Sequence, residues 1–286
     1  MRGKEDNKKR LNRTVFIYIT ILLLFNSCGK SPIAKVDGLP IYSEDIKDEK
    51  GIQNAYGANY SDEEILLLIF QKKLREYVAL NKLGLKITPK MLEKEKERID
   101  KETKAPEILR RVKEYFQGNE KHYLKKYIYP VLASRLLEKT FYFDTTIQRE
   151  AYTSAQEKFK ELKENPDMKI KDDSLYISLD LEEMRNKYDK KFPFFLPFYQ
   201  MDTLTLKSLP IKGIYPEILE DKLGYYILRK LDKKAKKFDG FFIRKRDFNK
   251  WYKGNIKDVK IEIFEPEMKK KVLLRAGNSY IKKLII

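Results

Sequence analysis

The chain carries one thiol, Cys28, and one imidazole, His122. These two residues bound its chemistry. If Cys28 is consumed by modification, no thiolate nucleophile, disulfide or thiolate metal site is left. A Ser-His-Asp arrangement needs an orientable imidazole, and His122 is the only one available. It follows Lys121 in a helical pattern among tyrosines, a setting that suits a partly exposed surface histidine. One imidazole and one thiol do not supply a zinc site. The 12 glycines are scattered singly, so there is no Gly-rich phosphate loop. The acid pairs Asp172-Asp173 and Glu182-Glu183 sit in a chain that is 36% charged, where adjacent carboxylates are ordinarily solvated. The expectation is no catalytic residue, no metal site and no cofactor.

Residue types suited to binding are better represented. The chain has 19 Tyr, 16 Phe and 1 Trp. Such side chains give large contact area with few rotors to freeze, which suits recognition of varied peptides. Phe192, Phe194, Phe195, Phe198 and Tyr199 crowd into residues 192–199 with two prolines. The prolines exclude a regular helix and a central strand. These five aromatics are candidates for a peptide-binding groove, and the same residues suit a core plug between helical and strand portions. Residues 229–260 hold 13 Lys or Arg against 4 Asp within a net charge of +18. Arg244, Lys245 and Arg246 are the candidates there for an anionic partner. Phe241, Phe242, Phe248, Trp251 and Tyr252 lie in the same stretch and fit buried aromatics beneath a basic surface.

The elements that must position these residues are mostly helical. Residues 34–41 read as two short extended runs around an Asp37-Gly38 turn, followed by a helix start at Ser43. Residues 61–83 have apolar positions at spacings of three and four, with Ser61 and Glu64 as a capping box and Gly84 as the stop. Thr88 and Pro89 open a charged helix running to about Thr103. Further helices read over 106–117, from Asn119 with a kink or split at Pro130, and from Asp144 to Leu162. After Pro166, residues 174–179, 224–231 and 258–264 read as strands, and the tail 266–286 as a closing helix.

The first segment has a different character. Residues 1–14 are basic, and residues 15–25 form an apolar run shorter than the roughly 20 residues a spanning helix needs. Ser27 and Cys28 follow, and this order resembles the lipobox of bacterial lipoproteins. Phe25 and Asn26 depart from the usual leucine and small residue. The resemblance implies a signal peptide over 1–27, lipidation at Cys28 and attachment to a bacterial membrane on its periplasmic or outer-surface side. An uncleaved anchor, or an ordinary signal with a coincidental cysteine, is the alternative.

The order of the remaining parts resembles the SurA/PrsA-like extracytoplasmic chaperone family. Val36, Asp37, Gly38, Pro40 and Ile41 match that family's opening, with Asp for Asn. Leu83, Gly84, Leu85, Ile87 and Thr88 match the turn that ends its next helix. Leu223-Gly224-Tyr225-Tyr226-Ile227-Leu228 stands where the last strand of a parvulin-type peptidyl-prolyl isomerase module would be. The family's site uses a pair of histidines with a Cys or Asp; here Tyr226 replaces the strand histidine, and no histidine follows His122. The resemblance implies a degenerate or reduced module without catalysis.

The expected fold is therefore α+β and predominantly helical. It comprises an N-terminal strand and linker (28–60), a SurA-like helical domain (61–165), a reduced parvulin-like module (166–235) and a basic segment (236–286) returning to the N-terminal domain. The opening strand is expected to pair with a C-terminal strand. The implied function is ATP-independent holding of unfolded or partly folded client polypeptides. Anionic lipid or a polyanion is a further partner class, and no nucleic acid is expected. A working isomerase and a surface lipoprotein with an acidic partner are the alternatives.

Overall fold

A computed structural model describes residues 31–171, 173–180 and 203–286. Cys28, the 192–199 aromatics and Glu182-Glu183 lie outside the described residues. In chain order the elements are β1 (Ala34–Val36), β2 (Leu39–Ile41), α1 (Ser43–Ala55), α2 (Asp62–Tyr77), α3 (Pro89–Glu102), α4 (Pro106–Tyr115), α5 (Glu120–Tyr123), α6 (Tyr129–Phe143) and α7 (Arg149–Glu164). Then come β3 (Tyr176–Asp180), α8 (Thr203–Ser208), β4 (Leu219–Glu220), β5 (Gly224–Lys230), β6 (Lys237–Arg244), α9 (Phe248–Ile256), β7 (Ile261–Ile263) and α10 (Pro266–Ala276). The protein is predominantly helical α+β, with two small antiparallel sheets ordered β2-β1-β7 and β3-β6-β5-β4. Among the described residues, no helix is long and apolar enough to cross a membrane.

The chain divides into two compact units. The first holds residues up to Leu74, Thr88–Pro130 and Lys257–Ile286. Its sheet begins at the Asp37-Gly38 turn, where both residues take positive φ (46° and 81°), as a tight hairpin between right-twisted strands requires. β1 also pairs antiparallel with β7, Ala34 opposite Ile263 and Val36 opposite Ile261. The tie expected between opening strand and C-terminal strand is present. All four of these side chains are buried.

Local signals set the helix starts in this unit. The Glu64 carboxylate accepts from the Ser61 backbone N–H at 2.9 Å, the reciprocal half of a capping box. Thr88 Oγ1 accepts from Met91 N, with Pro89 in the first turn. Asn119 Oδ1 accepts from His122 N at 3.1 Å. Two widened π turns, Val78–Lys82 and Leu124–Ile128, follow α2 and α5. The second carries the chain through to Pro130 without a split: the Tyr129 N–H bonds back to Leu124 O, and α6 continues.

The second unit holds Arg75–Ile87 and the described residues of Val131–Ile256. β6 and α9 thus belong here, while β7 and α10, later in the same basic segment, belong to the first unit. Cross-strand register is clamped by a buried pair. Arg229 Nε and Nη2 donate to the two oxygens of Asp239, its direct partner on β6, at 2.9 and 2.7 Å. A bidentate fork of this kind is the strongest arrangement an Arg–carboxylate pair makes. α7 lies on β5 and β6. Asp144 Oδ1 instead caps the preceding turn through Thr146 N and Ile147 N, and α7 begins at Arg149 with Gln148 as its N-cap, four residues after the cap expected from sequence.

Candidate binding cleft

Two stripes of α7 divide its work. Ala151, Ala155 and Leu162 are buried against Tyr225, Ile227, Phe241 and Ile243 of the sheet. The two alanines are small, so the helix backbone approaches the strands closely. Tyr152, Gln156 and Phe159 follow at i, i+4 and i+7 and share the neighbouring flank. Between that flank and residues 217–225 lies an open cleft of about 560 Å³, lined by Thr145, Tyr152, Gln156, Phe159, Glu217, Ile218, Glu220 and Tyr225. The Tyr152 and Tyr225 rings stand 5.5 Å apart. Phe159 and Ile218 are half-buried against the apolar cluster below. The volume lies within the range of pockets that enclose ligands, about 300–1,000 Å³.

Lys245 supports this wall from inside. Its ammonium donates to Asp221 O at 2.6 Å, pairs with Glu220 at 2.8 Å, and lies 4.8 Å from the Tyr225 ring centroid and 4.7 Å from that of Phe143. Burial pushes its pKa down, opposed by Glu220 and Asp221. The expectation that Arg244, Lys245 and Arg246 face an anionic partner together needs correction. Arg244 and Arg246 are exposed, whereas Lys245 has 1% of its side chain accessible. Extended backbone sends alternate side chains to opposite faces, and the middle residue of the triplet points inward. Burial, then the nearby Glu220 carboxylate, raises the Tyr225 hydroxyl's pKa, so it stays a neutral phenol.

Tyr226 points to the other face of β5, into a cluster with Leu179, Tyr215, Leu219, Leu228 and Phe238. It is 3% exposed, and its hydroxyl donates to Asp221 Oδ2 at 3.0 Å. Burial, then Asp221, raises its pKa. In this setting the side chain fills a core position and fixes a turn.

His122 lies in the first unit. Its Nε2 stands 3.0 Å from Asp48 Oδ1, which also accepts from Tyr115 Oη at 3.4 Å. Lys126 Nζ bridges Asp45 at 2.6 Å and Asp48 at 3.4 Å. The imidazole is 38% exposed and packs edge-on against Phe116 at 5.4 Å. Its partners are a carboxylate, a phenyl ring and the ionic network around them. Among the described residues no cluster of His, Cys, Asp and Glu could hold a metal.

The residues that wall the cleft were not singled out as a group by sequence reasoning. The available signal is the Tyr152-Gln156-Phe159 stripe adjoining the Ala151-Ala155 stripe, which marks a helix with a close-packed face and an aromatic flank. Comparison with known proteins returns no matching family model, no matching curated protein and no matching solved structure.

Proposed function

We propose that this chain is an exported, lipid-anchored, ATP-independent chaperone that holds unfolded or partly folded client polypeptides. The observation that carries the reading is the cleft: an open, aromatic-walled channel on a packed helix–sheet layer, with no imidazole or thiol in its lining. Tyr152, Phe159, Ile218 and Tyr225 offer apolar contact, and Thr145 and Gln156 offer adaptable hydrogen bonds to an extended backbone. Many weak contacts on such a surface give breadth in place of tight specificity. The pairing of β1 with β7 accords with the SurA-like architecture that Val36–Ile41 and Leu83–Thr88 suggest. Tyr226, held in the core by Asp221, favours a degenerate parvulin-like module over a working isomerase. Cys28 carries the lipid in this account and keeps the protein beside a membrane.

The test is dilution of a chemically unfolded client into buffer containing the purified full chain, without nucleotide, followed by light scattering. Suppression near equimolar ratio, weakened by Phe159→Ser, supports holding. Unchanged aggregation across several clients contradicts it.

A further inference from the structure

We infer that the cleft selects extended polypeptide segments bearing lysine or arginine, with the cationic side chain over Tyr152 and paired to Glu217. This rests on the holding function proposed above and names its client class. With 61 Lys and Arg against 43 Asp and Glu, the chain's surface is positive on average. The cleft departs from that average: its lining contains Glu217 and Glu220 and no basic residue. Glu220 is offset by Lys245 at 2.8 Å. Glu217 is exposed and forms no ion pair among the described residues, which leaves it accessible to an incoming cation.

The rings around the cleft already recruit ammonium groups. Lys245 lies 4.8 Å from the Tyr225 centroid, and Lys163 lies 4.2 Å from that of Phe159. Tyr152 has no such cation among the described residues, and its ring neighbour is Tyr225 at 5.5 Å. An aromatic face near an unpaired carboxylate attracts a lysine or arginine head through the ring quadrupole and through charge. The alkyl stem of that same side chain packs on the aromatic wall. A glutamate-bearing segment would meet the Glu217 charge instead and be repelled.

The experiment is fluorescence anisotropy with the purified full chain and three labelled peptides of alternating residues: Leu-Lys, Leu-Ser and Leu-Glu. The Leu-Lys peptide is expected to bind at least about tenfold tighter than the other two, a preference that shrinks with added salt. Glu217→Lys and, as a second exposed variant, Gln156→Lys should each remove that preference, weakening Leu-Lys binding about tenfold more than Leu-Ser binding. Equal or tighter binding of Leu-Glu, or a Leu-Lys preference that survives both variants, overturns the inference. A Leu-Lys preference without suppression of client aggregation upholds the cleft's selectivity and overturns holding. Binding of none of the three, with no suppression, overturns both.

Discussion

The Tyr226 hydroxyl donates to Asp221 Oδ2 at 3.0 Å, while Asp221 Oδ1 accepts the backbone N–H groups of Leu223 and Gly224 at 2.7 and 3.0 Å. One buried carboxylate therefore ties a core side chain to the turn that leads β4 into β5. Tyr226→Phe removes one hydrogen bond and is expected to cost about 1 kcal/mol. Asp221→Ala strands two backbone donors and a phenol, and should cost about 3 kcal/mol. Urea unfolding of both variants measures the ranking; equal losses would mean that the turn finds other partners.

The Arg229–Asp239 pair gives a second expectation. Both side chains are under a tenth exposed, so removing one charge leaves the other buried and uncompensated. Asp239→Asn should destabilise the second unit by about 3–5 kcal/mol. Replacing both residues with apolar side chains of similar volume should cost much less. Denaturant midpoints for the single and double variants test this, and a double variant no better than the single one would contradict it.

Lys245 should behave unlike its neighbours. Lys245→Met, which keeps the volume, and the exposed changes Arg244→Ala and Arg246→Ala separate burial from charge. The exposed changes should alter stability by no more than about 0.5 kcal/mol. The folded protein holds the Lys245 proton less tightly than the unfolded chain does, because burial lowers its pKa. Between the folded value and the ordinary lysine value, the unfolded state binds more protons, so this group's contribution to stability rises with pH. Wild type should therefore gain on Lys245→Met as pH rises from neutrality toward 10.5, the ordinary lysine value. A gap that is flat with pH in thermal unfolding would contradict the buried-lysine account.

The β1–β7 pairing makes the first unit depend on residues far apart in the chain. Val36 and Ile261 face each other and are fully buried. Val36→Ala and Ile261→Ala should each cost about 2–4 kcal/mol, and together less than their sum because they share one cavity. Amide exchange at Asp37, whose N–H bonds to Lys260 O at 2.8 Å, should quicken in both. Strict additivity with unchanged exchange would argue against the pairing.

Where sequence and structure agree, the controlling interactions are local. The Asp37-Gly38 turn, the Ser61–Glu64 cap and the Thr88-Pro89 start each depend on residues within one turn of each other. The β1–β7 pairing was expected from family resemblance, since nothing local in Ala34–Val36 names its partner. The cleft was harder to see because its walls come from a helix flank and a strand distant in sequence. Tyr152 and Tyr225 meet only when Ala151 and Ala155 let α7 down onto the sheet. Lys245 looked like part of a basic patch because a run of Arg-Lys-Arg carries no sign of which residue turns inward. Its partner Glu220 reaches it through the β4–β5 hairpin, a tertiary event.

The most direct test of the account is site-specific photo-crosslinking of an unfolded client. A photoreactive residue at position 156, in the cleft lining, is compared with one at Arg111, an exposed position of α4. The account predicts crosslinks from position 156 that an excess of Leu-Lys peptide displaces, and few from position 111. Equal yields from both positions, or yields that the peptide leaves unchanged, would contradict it.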